Sequence, residues 1–232
     1  PEVIENIDKK DFETIINIKI LNESRISEVK RQLNAIDKYT LLFLNKVNEL
    51  SVRNNDQITK FRRETDNDIV IISENDEQFI FNTYSKKGII DDKNYEIVIA
   101  YDETINQRDN KLYSFFETNI NFPIKWKCHA TFELETNRGG IKKNEINLRL
   151  LSELADFVCS KASGLMGTAN NPYEAFDSLL KINDFPAGLN IKGIDFNDTY
   201  QKYFEDAKVL PTYSGTKTSL KSKPIFYETT PF

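Results

Sequence analysis

Residues 127–158 read KCHATFELETNRGGIKKNEINLRLLSELADFV, a strand pattern that is followed by a helix pattern. Polar and apolar side chains alternate from Lys127 to Leu134, as in a strand with one buried face. From Asn144 onward, apolar residues recur at helical spacing and form a wide stripe. The stripe consists of Leu148, Leu151, Ala155, Val158 and Ala162, with Leu150, Leu154 and Phe157 beside it. An apolar face of this width predicts a helix that packs against a sheet.

The region before this stretch, from about residue 49, is dominated by strand patterns rich in Ile, Val, Phe, Tyr and Thr. The predicted strands are Leu50–Arg53, Ile58–Glu64, Ile69–Ser73, Gln78–Tyr84, Tyr95–Tyr101, Leu112–Phe116 and Lys127–Leu134. Turn signals at residues 54–56, 74–76 and 87–88 separate them, and such short connections favour antiparallel pairing. Strands first and helices later predict an α+β fold, with a mostly antiparallel sheet packed against helices.

Further elements are predicted on both sides of the strand-rich region. They are a strand at Phe12–Ile20, a helix capped by Ser24, a helix at Tyr39–Val47, a helix opened by Asn171-Pro172, a helix at Thr199–Ala207 and a strand at Val209–Thr212. The polar stretch Asp102–Asn110 has no apolar periodicity and is predicted to be a loop. We therefore divide the chain into residues 1–48, a middle α+β domain at 49–168, and a helical extension with a C-terminal strand and tail at 169–232.

The composition excludes several classes of enzyme. His129 is the only histidine, so neither a two-histidine metal site nor an HExxH motif can form, and no metal is expected. Cys128 and Cys159 form no CxxC pair, and the 8 glycines form neither a GxGxxG motif nor a P-loop. With 31 basic and 36 acidic side chains the net charge is −5, so nucleic acid is not an expected partner.

The chain shows no targeting or anchoring segment. No apolar run approaches the roughly 18 residues that a membrane span needs, and no signal peptide is visible. We therefore expect a cytoplasmic protein with reduced thiols and no membrane partner. The first residue is Pro1 and the only methionine is Met166, so we also expect the chain to be part of a longer protein.

The segment NRGG, residues 137–140, joins the predicted strand to the predicted helix. Glycines let the backbone approach a ligand closely, arginine is a bidentate partner of phosphate, and a helix N-terminus favours anions. An ordinary surface turn with solvated lysines is the alternative interpretation. The candidate phosphate contacts are Asn137, Arg138, Lys142 and Lys143.

His129, Glu133 and Glu135 suggest a different function. On a strand these side chains point to one side, where an imidazole and two carboxylates could perform acid–base chemistry or hold the metal of a hydrolase. The alternative is a solvated sheet face above a core face.

A stand-alone nucleic-acid-binding module is the second hypothesis for the function and ranks above the hydrolase. Basic pairs at residues 62–63 and 86–87 are interleaved with aromatic residues, as in proteins that bind single strands. The aromatic residues are Phe61, Phe79, Phe81 and Tyr84. Acidic residues in the same stretch cancel much of this charge, so this hypothesis ranks below phosphate contact.

The order of these motifs resembles the GHKL ATPases, in particular their sacsin-like branch. FETIINIKI, residues 12–20, and DKYTLLFLNKVNELSV, residues 37–52, are similar to the exit from the ATP-binding domain. Residues 112–138, which end in HATFELETNR, and NLRLLSELADFV, residues 147–158, are similar to the middle domain that follows. AKVLPTYSG, residues 207–215, resembles an element that often comes next.

The resemblance implies a ribosomal-protein-like middle domain that acts as the transducer and interaction module of a larger ATPase, either chaperone-like or part of a prokaryotic defence system. ATP and magnesium would bind to an upstream domain, which is the expected partner together with protein clients, and this chain alone would hold neither. In related chaperones a basic residue of the middle domain reaches the γ-phosphate. By position this residue corresponds to Arg138, with Lys142 and Lys143 as substitutes, which implies a catalytic role in the parent ATPase only.

Overall fold

The computed structural model describes residues 20, 22–34, 36–54, 57–101, 110–122, 124–165, 171–179 and 189–223. The α-helices in these ranges are α1 (Glu23–Asn34), α2 (Glu145–Leu165), α3 (Glu174–Ser178) and α4 (Phe196–Asp206). The strands are β1 (Glu49–Asn54), β2 (Gln57–Asp66), β3 (Ile69–Glu74), β4 (Glu77–Ile90), β5 (Lys93–Tyr101), β6 (Lys111–Ser114), β7 (Phe116–Asn121), β8 (Lys127–Ala130), β9 (Leu210–Pro211) and β10 (Lys217–Thr218). Short 3-10 helices lie at Lys38–Leu41 and Leu220–Ser222. The predicted α+β class is confirmed.

Eight strands form one sheet in the order β1-β2-β3-β4-β5-β8-β6-β7, and β9 and β10 form a separate hairpin. Within the large sheet only β6 and β8 pair in parallel. Tight turns connect β2 to β3, β3 to β4 and β4 to β5, so these strands follow one another in the sheet. Asn67, Asn75 and Asp91 each occupy the first turn position with a positive φ of 51°, 51° and 47°, a conformation that Asn and Asp tolerate better than most residues. The turn predicted at residues 74–76 is confirmed.

The turn predicted at residues 87–88 is wrong, because Gly88 lies inside the long strand β4. A glycine is needed at this position because of the neighbouring strand β5. A Cβ atom at Gly88 would lie 2.6 Å from the ring of Tyr95. The chain reverses at Asp91-Asp92, where both residues have positive φ. There Asp91 Oδ1 accepts from Arg149 of α2 at 2.8 Å, which ties the hairpin tip to the helix.

The larger hydrophobic core lies between one face of the sheet and α2, and α3 and α4 also contribute to it. The predicted helix after Asn144 is confirmed, and the Asn144 side chain caps it by accepting from the backbone N–H of Asn147 at 2.9 Å. Lys86 of β4 forms ion pairs with Glu153 and Asp156 of α2 at 2.7 and 3.1 Å. We call this side of the sheet the helix face.

A smaller core lies on the opposite side, which we call the turn face. Residues 36–44 cover it, and the helix predicted at Tyr39–Val47 is wrong, since only the 3-10 turn Lys38–Leu41 forms. Leu41, Leu42 and Phe43 are three consecutive buried residues. An α-helix would direct consecutive side chains about 100° apart, so a helix could not place all three on one flat sheet.

Several predicted boundaries need correction. α1 is capped by Asn22, whose side chain accepts from the backbone N–H of Ser24 at 2.8 Å, so Ser24 is not the cap. The strand predicted at Leu112–Phe116 breaks at Phe115 into β6 and β7, and α4 starts before Thr199. The β9–β10 hairpin confirms a strand within the predicted range Val209–Thr212.

Other predictions fall partly or wholly outside the described residues. The predicted strand Phe12–Ile20 and loop Asp102–Asn110 lie outside them except for their last residues. The division into three segments stays a prediction. No helix within the described ranges is both long and apolar enough to cross a membrane.

Candidate functional site

The NRGG segment lies at the tip of a small hairpin-like loop between β8 and α2. Leu134 and Ile141 form an isolated antiparallel bridge at its base. Inside it the backbone N–H of Glu135 donates to Gly140 O at 2.9 Å, and that of Arg138 donates to Glu135 O at 2.9 Å. These bonds define residues 135–140 as one unit, which we call the Arg138 loop.

The two glycines let the Arg138 loop pack closely against its surroundings. A Cβ atom at Gly139 would lie 2.5 Å from Nδ2 of Asn119, and one at Gly140 would lie 2.9 Å from a carboxylate oxygen of Glu135. The backbone N–H of Asn119 on the edge strand β7 donates to Gly139 O at 2.8 Å. The loop therefore covers part of a sheet edge and is held there by a backbone hydrogen bond.

Asn147 on the first turn of α2 holds the base of the loop. Its Oδ1 accepts from the backbone N–H of Glu133 at 3.0 Å, and its Nδ2 donates to the carbonyl oxygens of Glu133 and Lys142, both at 2.8 Å. This amide is completely buried. Sequence reasoning did not single out Asn147, although a polar residue beside the apolar stripe of a helix is a signal for such a role.

Arg138 projects from this loop into solvent. Its backbone has a φ of 56°, a left-handed conformation that is uncommon outside glycine. Within the described part of the chain, the side chains of Arg138, Lys142 and Lys143 form no hydrogen bond or ion pair, and all three residues are exposed. The structure therefore places the three predicted basic residues on one exposed stretch.

Asn137 shapes the turn of the Arg138 loop. Its Oδ1 accepts from the backbone N–H of Gly139 at 2.9 Å, so this side chain shapes the turn. Phosphate contact by Asn137 stays a prediction, as it does for Arg138, Lys142 and Lys143.

The acidic residues around the loop are mostly neutralised. Glu133 pairs with Lys93 at 2.5 Å, and Glu145 pairs with Lys192 at 2.5 Å. The hydrogen bond from Lys93 is the main reason that the pKa of Glu133 is lowered, and the hydrogen bond from Lys192 similarly lowers the pKa of Glu145. Because their lysine partners offset these carboxylates, the three unpaired basic residues leave a local positive excess.

The structure does not assemble the alternative face of His129, Glu133 and Glu135. β8 ends at Ala130, so the expected strand alternation up to Glu135 does not form. Glu133 is engaged by Lys93 and by Asn144, whose Nδ2 donates at 2.8 Å. In the described ranges no group of three or more His, Cys, Asp or Glu side chains is placed to hold a metal ion.

His129 is a buried neutral side chain on the turn face, with only 1 % of its surface exposed. Its Nδ1 accepts from the backbone N–H of Phe115 at 3.0 Å. The ring lies between Phe43, with centroids 5.2 Å apart, and Phe115, at 4.9 Å. Burial lowers the pKa of His129 to about 4, so the imidazole is uncharged at neutral pH.

The structure also does not bring the predicted nucleic-acid residues together. Phe61 and Phe81 are fully buried in the core of the turn face, so their rings offer no stacking surface. Lys86 pairs with two carboxylates of α2, and Lys87 pairs with Glu96 at 3.1 Å. Arg62 and Arg63 are neighbours on β2 and therefore point to opposite faces of the sheet.

Comparison with protein-family models, with curated proteins and with solved structures finds no match for this chain. The resemblance to the GHKL ATPases therefore stays a prediction from the sequence motifs.

Proposed function

We propose that this chain is the transducer and interaction module of a larger GHKL-type ATPase, chaperone-like or part of a prokaryotic defence system. In this proposal the Arg138 loop meets the γ-phosphate of ATP held by an upstream ATP-binding domain. One observation carries it: the guanidinium of Arg138 has no hydrogen bond or ion pair within the described residues, while the loop beneath it is held by several.

The anchoring of the loop suits this role. Asn119, Asn137 and Asn147 each hydrogen-bond to the loop or to its base. A loop that is already ordered fixes the backbone from which the Arg138 side chain extends, so less conformational freedom is lost when a ligand binds. A solvent-exposed arginine with no competing acceptor can offer both edges of its guanidinium to a phosphate.

The chemistry assigned to Arg138 is electrostatic. During phosphoryl transfer, negative charge on the phosphoryl oxygens and the leaving group is stabilised by a positioned cation. Docking of the upstream domain would bring that charge to Arg138, and nucleotide release would remove it. Lys142 and Lys143 precede α2 and would add a longer-range attraction to the phosphate. Because both lysines are exposed, salt would screen this attraction.

The test is ATP hydrolysis by the full-length protein that contains this chain, with Arg138→Ala compared with Arg53→Ala. Arg53 is an exposed arginine on β1, at the opposite edge of the sheet, so it controls for the loss of one positive charge. We expect Arg138→Ala to lower kcat by about a hundredfold or more with little change in ATP affinity, and Arg53→Ala to change neither.

Stability measurements accompany the kinetics. Both arginines are exposed, so both variants should unfold within about 0.5 kcal/mol of the wild type. An Arg138→Ala protein that hydrolyses ATP at the wild-type rate would show that the proposal is wrong.

A further inference from the structure

β1 is the edge strand at one end of the large sheet, and within the described ranges no strand pairs with its outer side. We call this outer side the β1 edge. The edge strand at the other end, β7, is covered in part by the Arg138 loop, through the hydrogen bond from Asn119 to Gly139 O. β1 contains neither proline nor glycine. An uncovered strand edge of this kind presents backbone N–H and C=O groups that can pair with another strand.

The pairing of β1 with β2 determines which of its backbone groups face outward. The backbone N–H of Arg63 donates to Asn48 O at 2.8 Å, so these two residues form a hydrogen-bonded pair of the antiparallel ladder. Hydrogen-bonded and non-hydrogen-bonded pairs alternate along such a ladder. The backbone groups of Glu49, Ser51 and Arg53 therefore point away from β2, and all three residues are exposed.

The order of side chains along β1 is complementary to its own reverse. A second β1 strand can pair antiparallel with the first so that the two Ser51 residues are opposite each other. Glu49 then lies opposite Arg53 of the second copy, and Leu50 lies opposite Val52. A shift of two residues in either direction places Ser51 opposite one of the charges, and a shift of four places two identical charges opposite each other. Among the registers that the outward groups allow, only the one centred on Ser51 pairs opposite charges.

We propose that two copies of this chain associate through the β1 edge, with a two-fold axis at the paired Ser51 residues. The backbone groups of Glu49, Ser51 and Arg53 form the hydrogen bonds between the two strands. The interface is isologous, because both copies contribute the same strand. The two large sheets thereby join into one continuous sheet.

Both faces of the joined sheet gain contacts. Glu49 pairs with Arg62 of its own chain at 3.6 Å, and in the dimer Arg53 of the second copy lies on its other side. Arg53 has no ion pair among the described residues of its own chain. On the turn face, Leu50 and Val52 are half-buried and pack against the smaller core. Their pairing across the axis extends that core from one copy to the other.

This inference does not depend on the role proposed for Arg138. β1 and β7 lie at opposite ends of the sheet, so the dimer leaves the Arg138 loop of each copy exposed. A substitution on β1 should therefore change self-association without changing ATP hydrolysis. The two proposals can fail separately.

The experiment is sedimentation velocity of the whole chain at concentrations from about 1 to 200 µM, in about 0.1 M salt. We expect the 26.9 kDa monomer to be replaced by a dimer of twice that mass as the concentration rises. One added strand pair is a small interface, so the Kd should be on the order of 10 µM. A chain that stays monomeric at about 200 µM would overturn the proposal.

Charge reversal tests the register of the two strands. Arg53→Glu places a carboxylate opposite Glu49 on both sides of the axis, and the Kd should rise about tenfold or more. Adding Glu49→Arg restores opposite charges, and this double variant should bind at least about threefold more tightly than Arg53→Glu alone. Lys208→Glu makes the same change of charge at an exposed lysine beyond α4 and should alter the Kd by less than about twofold. A dimer whose Kd does not respond to Arg53→Glu uses another surface, and the proposal is then wrong.

Proline at position 51 tests the backbone pairing. The N–H of Ser51 faces outward, so Ser51→Pro spares the ladder with β2 but removes the central hydrogen bonds of the dimer. This variant should be monomeric at about 200 µM, whereas Ser51→Thr, which keeps the N–H, should dimerise like the wild type. A folded Ser51→Pro protein that still dimerises would also contradict the proposal. If Ser51→Pro does not fold, the charge variants decide the question.

Discussion

The two faces of the large sheet are covered in different ways. On the helix face, the long helix α2 contributes a continuous apolar surface, and α3 and α4 extend the same core. On the turn face, a short segment around Leu41, Leu42 and Phe43 covers a smaller core. Strand alternation in β8 assigns Cys128 and Ala130 to the helix face, and Lys127 and His129 to the turn face.

The difference shows where basic side chains are buried in this fold. Among the described residues, the core of the helix face buries the thiols of Cys128 and Cys159 but no basic side chain. The turn face instead surrounds its imidazole and ammonium with aromatic rings from Phe43, Tyr39, Tyr113 and Phe115. The helix face should therefore provide most of the stability, and the turn face should determine how stability responds to pH.

The largest expected effect comes from opening a cavity on each face. Leu154 of α2 and Leu41 of the turn segment are both fully buried, so each change to alanine removes the same atoms. We expect Leu154→Ala to lower the free energy of unfolding by about 4 kcal/mol and Leu41→Ala by about 2.5 kcal/mol. The short segment around Leu41 can collapse into its cavity more easily than a helix held along its whole length.

Urea unfolding of both variants measures this difference, and Leu165→Ala on the same helix is the control. Leu165 is 49 % exposed, so its truncation should change stability by about 0.5 kcal/mol or less. Equal losses for Leu154→Ala and Leu41→Ala would contradict the distinction between the two faces.

A smaller loss of stability is expected at acidic pH, and it arises from His129 on the turn face. The pKa of His129 is lowered from 6.5 to about 4 because the ring is buried. Between these values the unfolded chain binds a proton that the folded chain does not, so stability is lost as the pH falls below 6.5. The loss attributable to His129 between pH 7.5 and pH 5 should be about 2 kcal/mol.

His129→Asn separates this loss from that of other titrating groups. The Asn side-chain oxygen can accept from the backbone N–H of Phe115 in place of Nδ1, and it does not titrate in this range. The free energy of unfolding should therefore fall less steeply with acid in this variant than in the wild type. Parallel pH profiles for the two proteins would assign the acid sensitivity to other groups.

Most strands and α2 could be predicted well from the sequence, and the segment that covers the turn face could not. β2, β3, β5 and α2 have apolar residues at regular spacing, and this local pattern predicts each element without knowledge of which distant segments pack against it. In β8, by contrast, alternation suggests that the polar side of the strand faces solvent. Residues 36–44 come from a distant part of the sequence to cover that side, so no local pattern reveals that Lys127 and His129 are buried.

For the candidate site, too, one part could be predicted from the sequence and another could not. The position of Arg138 between a strand and a helix could be predicted, because glycines and a helix cap mark the turn. The contacts that hold the loop, from Asn119 and Asn147, could not be predicted, because they depend on the register of β7 and on the docking of α2. The role of Asn137 in shaping the turn also emerged only from the geometry.

The smallest effect concerns the contact between Lys127 and Tyr39, and a double-mutant cycle isolates it. Lys127→Met keeps an apolar stem of similar length, and Tyr39→Leu removes the ring beneath the ammonium. Cation–π pairs of this kind stabilise by about 0.5 to 2 kcal/mol when they are partly desolvated, so we expect a coupling free energy of about 1 kcal/mol from the cycle. The cycle cancels the burial and volume changes that each single substitution brings, which makes the coupling more informative than either loss alone. A coupling near zero would mean that the ring of Tyr39 fills space without stabilising the ammonium of Lys127.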